Sequence, residues 1–394
     1  MDERATAGTE RADGADGAGD AGDTAEARAR PEAQRLPAEE RYADELARLH
    51  ASDDAPRPGG WRLSPRAVRA FVLGDASRGV GRKFYGDDQL VDRAIVSLMG
   101  RQGLMLVGEP GTAKSLLSEL LAAAASGTST LVVQGSAGII EDHLRYGWNY
   151  ALLLAEGPSE KALVPSPVLT AMRTGAIARL EELTRCAPEV QDALISLMSE
   201  RTVAVPELGA GADVRAAPGF NVIATANLRD RGVHDLSSAL KRRFNFETVD
   251  PIDDPEQERL LIEAQLAERV REGGLEARVP MPRADALETL VAVFQDLRFG
   301  RTRDGVSVPR PTGVMSTAEA VNVAFAAMME AAFLEGTPDG AGGRHLARQL
   351  RGVVLKDDPK DGEKLDVYVD HVAKSRARER GSAWAEFYAE ARRG

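Results

Sequence analysis

A short apolar run, residues 104–107, ends directly in Gly108-Glu109-Pro110-Gly111-Thr112-Ala113-Lys114-Ser115, and Leu116 then opens an apolar helical run. A bound phosphate needs backbone N–H groups converging on its oxygens, a cation over the β- and γ-phosphates and a hydroxyl on Mg2+. A Gly-rich strand-to-helix turn closed by Lys114 and Ser115 supplies all three, so residues 108–116 read as a P-loop. The strict pattern has Gly where Ala113 stands; the strand before the turn and the helix after it supply the required context.

A P-loop alone implies only a nucleoside triphosphate. A later apolar run, residues 176–180, leads straight into Glu181-Glu182. One carboxylate of such a pair can hold Mg2+ through water while the next orients the attacking water. Glu181, with Ser115, takes the metal role, and Glu182 that of general base. Two acids after a strand are otherwise a solvated loop or a first helical turn, and it is the P-loop upstream that favours chemistry. Asn227 ends another apolar run and is suited to positioning water near a γ-phosphate, although an isolated Asn there is commonly a turn residue. Lys241-Arg242-Arg243-Phe244 supplies cations of the kind that stabilise transition-state charge on a neighbouring subunit's nucleotide. The plainer alternative is a basic helix end complementing its own dipole. Cys186 follows the acidic pair with no cation placed by sequence to activate it, and reads as packing.

These residues need a sheet to position them. Residues 104–107, 131–133, 176–180, 221–225 and 246–249 read as five strands, the first four nearly continuous in apolar character, as strands buried on both faces are. Helical patterns between them make this a parallel α/β sheet. Before it, Tyr42, Leu46 and Leu49 predict one short amphipathic helix after Pro37, Ser64-Pro65 opens a second, and 89–99 form a third. After residue 250 the chain turns helical: Asp254 and Pro255 open one helix, 282–297 contain another and 317–334 a third. A last helix carries Trp384, Phe387 and Tyr388.

The ordered set GEPGTAKS, RLEELTRCAPEVQDALISLMSERTVAVPE, FNVIATAN and SSALKRRFNF resembles the MoxR group of AAA+ ATPases over residues 85–250, and the helices beyond resemble that group's lid. The resemblance implies a P-loop NTPase core, a five-stranded parallel sheet sandwiched by helices, followed by an α-helical lid. It implies ATP and Mg2+ as cofactors. Lys114 and Ser115 become the P-loop lysine and the Mg2+ hydroxyl, Glu181 and Glu182 the Walker B acids, and Asn227 sensor 1. Arg243 is the best match to an arginine finger, with Arg242 as the fallback. A ring is also implied, usually a hexamer with nucleotide at each subunit interface. So is a protein client to be remodelled or matured, a von Willebrand factor A domain protein being one such partner. Residues 141–172 and a hairpin around Gly209-Ala210-Gly211 match insertions through which the group meets its partners. Tyr146, Trp148 and Tyr150 are then an exposed contact or the packing of the insert.

Two departures stand out. The group has Asp-Glu where this chain has Glu181-Glu182, and the added methylene displaces the first carboxylate by about 1.5 Å, enough to slow hydrolysis. The stretch 309–317 lacks the usual lid arginine, leaving Arg310 as the sensor-2 candidate.

On this reading 1–34 are a disordered acidic tail, 35–83 an N-terminal helical segment and linker, 84–250 the ATPase core, 251–335 the lid, and 336–394 a Gly-rich linker with a charged helical extension. The 394 residues carry 50 Lys+Arg against 61 Asp+Glu, a net charge of −11. That balance disfavours nucleic acid and an anionic membrane as partners. One cysteine and scattered histidines exclude disulfide and zinc scaffolds. With no basic and apolar leader the expectation is a soluble, cytoplasmic protein. The competing reading is a nucleotide-gated adaptor that binds ATP and scarcely hydrolyses it; a DNA-directed motor ranks lower.

Overall fold

The structure is a computed structural model describing residues 35–227, 234–356, 358–379 and 382–393. The expected acidic tail lies outside the described residues.

Among the described residues, four α-helices precede the sheet: α1 (Ala38–Arg41), α2 (Ala43–Ala51), α3 (Pro65–Leu73) and α4 (Asp88–Leu98). The single helix expected after Pro37 is thus two. Tyr42 leaves helical geometry at φ −114°, ψ 28°, where its ring packs edge-on against Phe71 and its hydroxyl reaches Glu268 of the C-terminal half at 3.4 Å. Ser64 caps α3 by accepting from Ala67 N–H, with Pro65 at the first helical position, as its sequence predicts.

The core continues as β1 (Gly103–Gly108), α5 (Lys114–Ser126), β2 (Val132–Gln134), β3 (Tyr146–Trp148), α6 (Tyr150–Glu156), β4 (Leu163–Pro165), α7 (Pro167–Thr174) and β5 (Ile177–Glu181). It ends with α8 (Pro188–Glu200), β6 (Thr202–Ala204), β7 (Asp213–Arg215), β8 (Asn221–Asn227), α9 (Ser238–Lys241) and β9 (Phe244–Thr248). Five of these strands form one parallel sheet in the order β2-β5-β8-β1-β9. The central three are buried, which accounts for their unbroken apolar runs. β2 differs: as an edge strand it alternates, with Val132 exposed. β3 with β4, and β6 with β7, are antiparallel hairpins standing outside the sheet. Tyr146 and Trp148 pack edge-on within the first hairpin, whereas Tyr150 is exposed.

Among the described residues seven α-helices follow: α10 (Pro255–Glu272), α11 (Ala284–Phe299), α12 (Thr317–Met329) with a π turn at Glu330–Leu334, α13 (Gly343–Val354), α14 (Asp361–Tyr368), α15 (Lys374–Glu379) and α16 (Ser382–Ala391). Leu290 and Phe294 of α11, Val321 and Ala324 of α12, Leu346 and Leu350 of α13 and Trp384 and Phe387 of α16 share one apolar cluster. The helices after Gly343 therefore pack with α10 to α12 and do not trail from them as a separate extension. Gly343 permits this, because a side-chain carbon there would overlap the Ala383 carbonyl. Residues Thr317–Leu334 are long and apolar enough to cross a membrane by length and composition alone, and Ala320, Val321, Ala324 and Ala327 are buried in this cluster.

Candidate nucleotide site

Parallel strands deliver their C-terminal ends to one edge of the sheet. The register sets Gly108 beside Asn227 and Leu180 beside Ala224, so the P-loop, the acidic pair and Asn227 emerge side by side. The loop then turns into α5, whose N-terminal N–H groups and dipole are suited to an anion. Two positions in the turn need left-handed backbone: Gly111 at φ +77° and Ala113 at φ +65°. The position that the strict motif gives to glycine is thus strained here, by the chirality of an L-residue. Lys114 is buried, and its Nζ donates to the Gly108 and Glu109 carbonyls at 3.1 and 2.7 Å, inside the curve of the loop. Thr112 Oγ1 closes the turn on the Glu109 carbonyl at 3.0 Å.

Glu181 is buried and accepts four side-chain hydrogen bonds. Oε2 takes Ser115 Oγ at 2.6 Å and Thr225 Oγ1 at 2.8 Å; Oε1 takes Ser118 Oγ at 2.6 Å and Arg179 Nη2 at 2.8 Å. Burial pushes its pKa up, but the hydroxyls of Ser115 and Ser118, the Arg179 charge and Thr225 together hold it below the ordinary carboxylate value. Ser115 and Glu181 thus bring a hydroxyl and an ionised carboxylate oxygen to one point below the P-loop. These are hard oxygen donors of the kind that hold Mg2+ alongside phosphate oxygens, so the residues present fit that ion.

Glu182 follows at φ +54°, outside the strand, half-buried, with its carboxylate 2.8 Å from Arg185 Nε. Its N–H donates to Thr225 Oγ1 at 2.9 Å, so one hydroxyl orients both acids. Asn227 lies at the end of β8 next to the start of the P-loop.

Arg242 and Arg243 are not brought to this site. Arg243 precedes β9, and its carbonyl accepts from Gly103 N–H at the opposite end of β1. That is about 16 Å of strand away from Gly108. The Arg243 guanidinium rests on Ser199 Oγ and the Ala239 carbonyl, and Arg242 is exposed. Arg310 borders a cleft of about 780 Å³ beside the loop, together with Glu109, Gly111 and Lys356. On the loop's other flank, Phe84, Tyr85, Ala113 and Leu116 make an apolar wall, with Leu261 of α10 facing it. Cys186 is buried and its thiol pKa is pushed up by that burial, in keeping with packing.

Sequence reading misses four residues of this region. Ser118 lies one turn beyond Ser115, and Arg179 and Thr225 each sit two residues before a named site residue on the same strand face. An arginine inside an otherwise apolar strand was the available signal. The fourth, buried Arg298, donates to the carbonyls of Ile252 and Met315 and pairs with Glu258 at 2.6 Å, where the sheet domain passes into the helices.

A P-loop between the central β1 and α5, an acidic pair on the neighbouring strand but one, and a helical lid over the loop define an AAA+ nucleotide-binding ATPase fold. Residues 103–244 match the AAA domain of the dynein-related subfamily, and residues 256–393 the YehL-like AAA+ ATPase C-terminal domain. The chain is 47% identical over 360 residues to the Escherichia coli K12 protein described as "Uncharacterized protein YehL", covering 90% of this chain and 96% of that one. It is 30% identical over 217 residues to "Chaperone MoxR1" of Mycobacterium tuberculosis, covering 52% of this chain and 54% of MoxR1. Among solved structures, NtrX from Brucella abortus in complex with ADP matches with a TM-score of 0.46 at 15% identity, covering 78% of this chain and 66% of NtrX. The chain belongs to the MoxR-like AAA+ ATPases, in their YehL-like branch.

Proposed function

We propose that this protein binds ATP with Mg2+ and hydrolyses it in a ring oligomer, most simply a homo-hexamer, to remodel or help mature a protein client in the cytoplasm. The observation that carries the reading is the convergence of Ser115 Oγ and Glu181 Oε2, 2.6 Å apart under a P-loop whose lysine is already in the loop. Mg2+ held there would offset charge on the β- and γ-phosphates. Loop N–H groups and Lys114 bind the phosphates, Glu182 takes a proton from the attacking water, and Asn227 orients that water. Arg243, at the far end of its own sheet, is suited to a neighbouring subunit's nucleotide, with Arg242 as its substitute; this supports a ring in which hydrolysis needs assembly. Arg310 is the lid residue nearest in kind to a sensor-2 arginine. The name of the chaperone relative supports a protein client, and a von Willebrand factor A domain protein is the candidate partner the MoxR resemblance suggests.

A second reading, a nucleotide-gated adaptor with little turnover, is favoured by the Glu182–Arg185 pair, which occupies the proposed base. Turnover by the assembled wild-type chain separates the two. We expect Mg2+-dependent ATP hydrolysis abolished in Lys114→Ala and in Glu182→Gln, the latter still binding nucleotide. Wild-type turnover no faster than that of Glu182→Gln would leave the adaptor.

A further inference from the structure

Arg179 and Glu181 are two residues apart in β5, so both side chains leave the same face of the sheet and meet α5. Both are buried. The guanidinium is fixed from three sides: Nε donates to Ser118 Oγ at 2.9 Å, Nη1 to the Ser129 carbonyl at 2.9 Å and Nη2 to the Ser115 carbonyl at 3.0 Å. Its remaining contact is Nη2 to Glu181 Oε1 at 2.8 Å, and Ser118 Oγ shares that oxygen at 2.6 Å. The two oxygens of Glu181 are thereby divided. Oε1 is tied to Arg179 and Ser118, and Oε2 is turned to Ser115 and Thr225.

An aspartate at 181 would end about 1.5 Å nearer the strand, one C–C bond short. The donors on both sides are held by a helix and two strands and cannot follow it, so a shorter carboxylate keeps one set of bonds and loses the other. A buried arginine is also a costly means of merely filling space, since an apolar side chain of similar volume serves as well or better.

We propose, resting on the nucleotide-site reading above, that Arg179 and Ser118 are positioning residues that clamp Glu181 by Oε1 so that Oε2 meets Mg2+ beside Ser115, and that the glutamate at 181 is matched in length to the arginine at 179. A single Arg179 variant does not isolate this, because losing the guanidinium also removes a positive charge near a dication. The coupling between positions 179 and 181 does isolate it.

The test is a four-member cycle in the full chain carrying Glu182→Gln, which stops turnover: the parent, Arg179→Met, Glu181→Asp and the double variant. Binding of a fluorescent ATP analogue is followed as Mg2+ is titrated. Glu181→Asp alone should raise the Mg2+ half-saturation at least tenfold, and in the Arg179→Met background less than threefold. Equal factors in the two backgrounds overturn the clamp. If thermal unfolding shows that Arg179→Met does not fold, Ser118→Ala takes its place, with a coupling of threefold or more expected and equal factors again overturning the proposal. Nucleotide binding retained in Lys114→Ala, or absent from the parent, would instead remove the nucleotide-site reading, and the clamp with it.

Discussion

Ser316, the N-cap of α12, stands directly over Gly111 of the P-loop, so close that a side-chain carbon on Gly111 would overlap the Ser316 Cβ and Oγ. The lid and the phosphate loop therefore touch through a position that has no side chain. Gly111 also holds left-handed backbone, where an alanine costs about 1–2 kcal/mol. Gly111→Ala combines strain with overlap. We expect it to lower unfolding stability by about 2–3 kcal/mol in urea and to weaken nucleotide binding at least tenfold. An unchanged urea midpoint would mean that the lid is not seated on the loop.

Ala113 presents the opposite case. It too is left-handed, at φ +65° and ψ 23°, but already carries a methyl group. Ala113→Gly removes about 1–2 kcal/mol of strain and adds unfolded-chain freedom worth about 0.4–1 kcal/mol, so the strain term wins by up to about 1.6 kcal/mol. For a chain of this length that is a rise of roughly 2 °C in Tm, measurable by calorimetry. A fall in Tm would show that the loop holds Ala113 by contacts worth more than the strain.

Periodicity and turn chemistry sufficed for the sheet, because each central strand is a buried apolar run bounded by a helix signal. The placement of residues 108–115, Glu181-Glu182 and Asn227 along one edge of the sheet is legible for the same reason: a strand end followed by a polar residue lies where a parallel sheet gathers its C-terminal ends. What was not legible depends on neighbours in space. The break at Tyr42 arises from Phe71 and Glu268, far away in the chain. Arg179 and Ser118 gain their roles only when β5 packs on α5. The charged segment after Gly343 looked like an extension since its apolar residues are sparse and spaced for several short helices, each meaningful only against α11 and α12.

Arg298 and Glu258 form a bidentate pair at the junction of sheet domain and lid, with both side chains almost wholly buried. Removing one member of such a pair leaves an uncompensated charge, which costs about 3–5 kcal/mol. Arg298→Met should therefore be severely destabilised in urea, whereas Arg298→Met combined with Glu258→Met should recover most of the loss. A double variant as unstable as the single would point to the carbonyl contacts with Ile252 and Met315, not the ion pair, as the source of the stability.

Asp361, fully buried at the start of α14, ties down the loop that carries Arg310 to the P-loop cleft: it accepts from Thr312 N–H at 2.8 Å, from Gly313 N–H at 3.3 Å and from Lys364 Nζ at 2.7 Å. Burial raises its pKa, but Lys364 and the two amides outweigh burial and hold it below the ordinary aspartate value of 3.8. A carboxyl whose folded pKa is depressed contributes stability that is present above its unfolded pKa and is lost as pH falls through the folded one. Asp361→Asn keeps the shape and loses the charge. In urea unfolding the wild type should exceed this variant by a constant margin from neutral pH down to about pH 5, and the margin should close below about pH 4 as Asp361 takes up its proton. All other carboxylates titrate in both proteins and cancel. A margin that does not shrink at all as pH falls below about 4 would mean that the amide geometry, and not the charge, holds the loop.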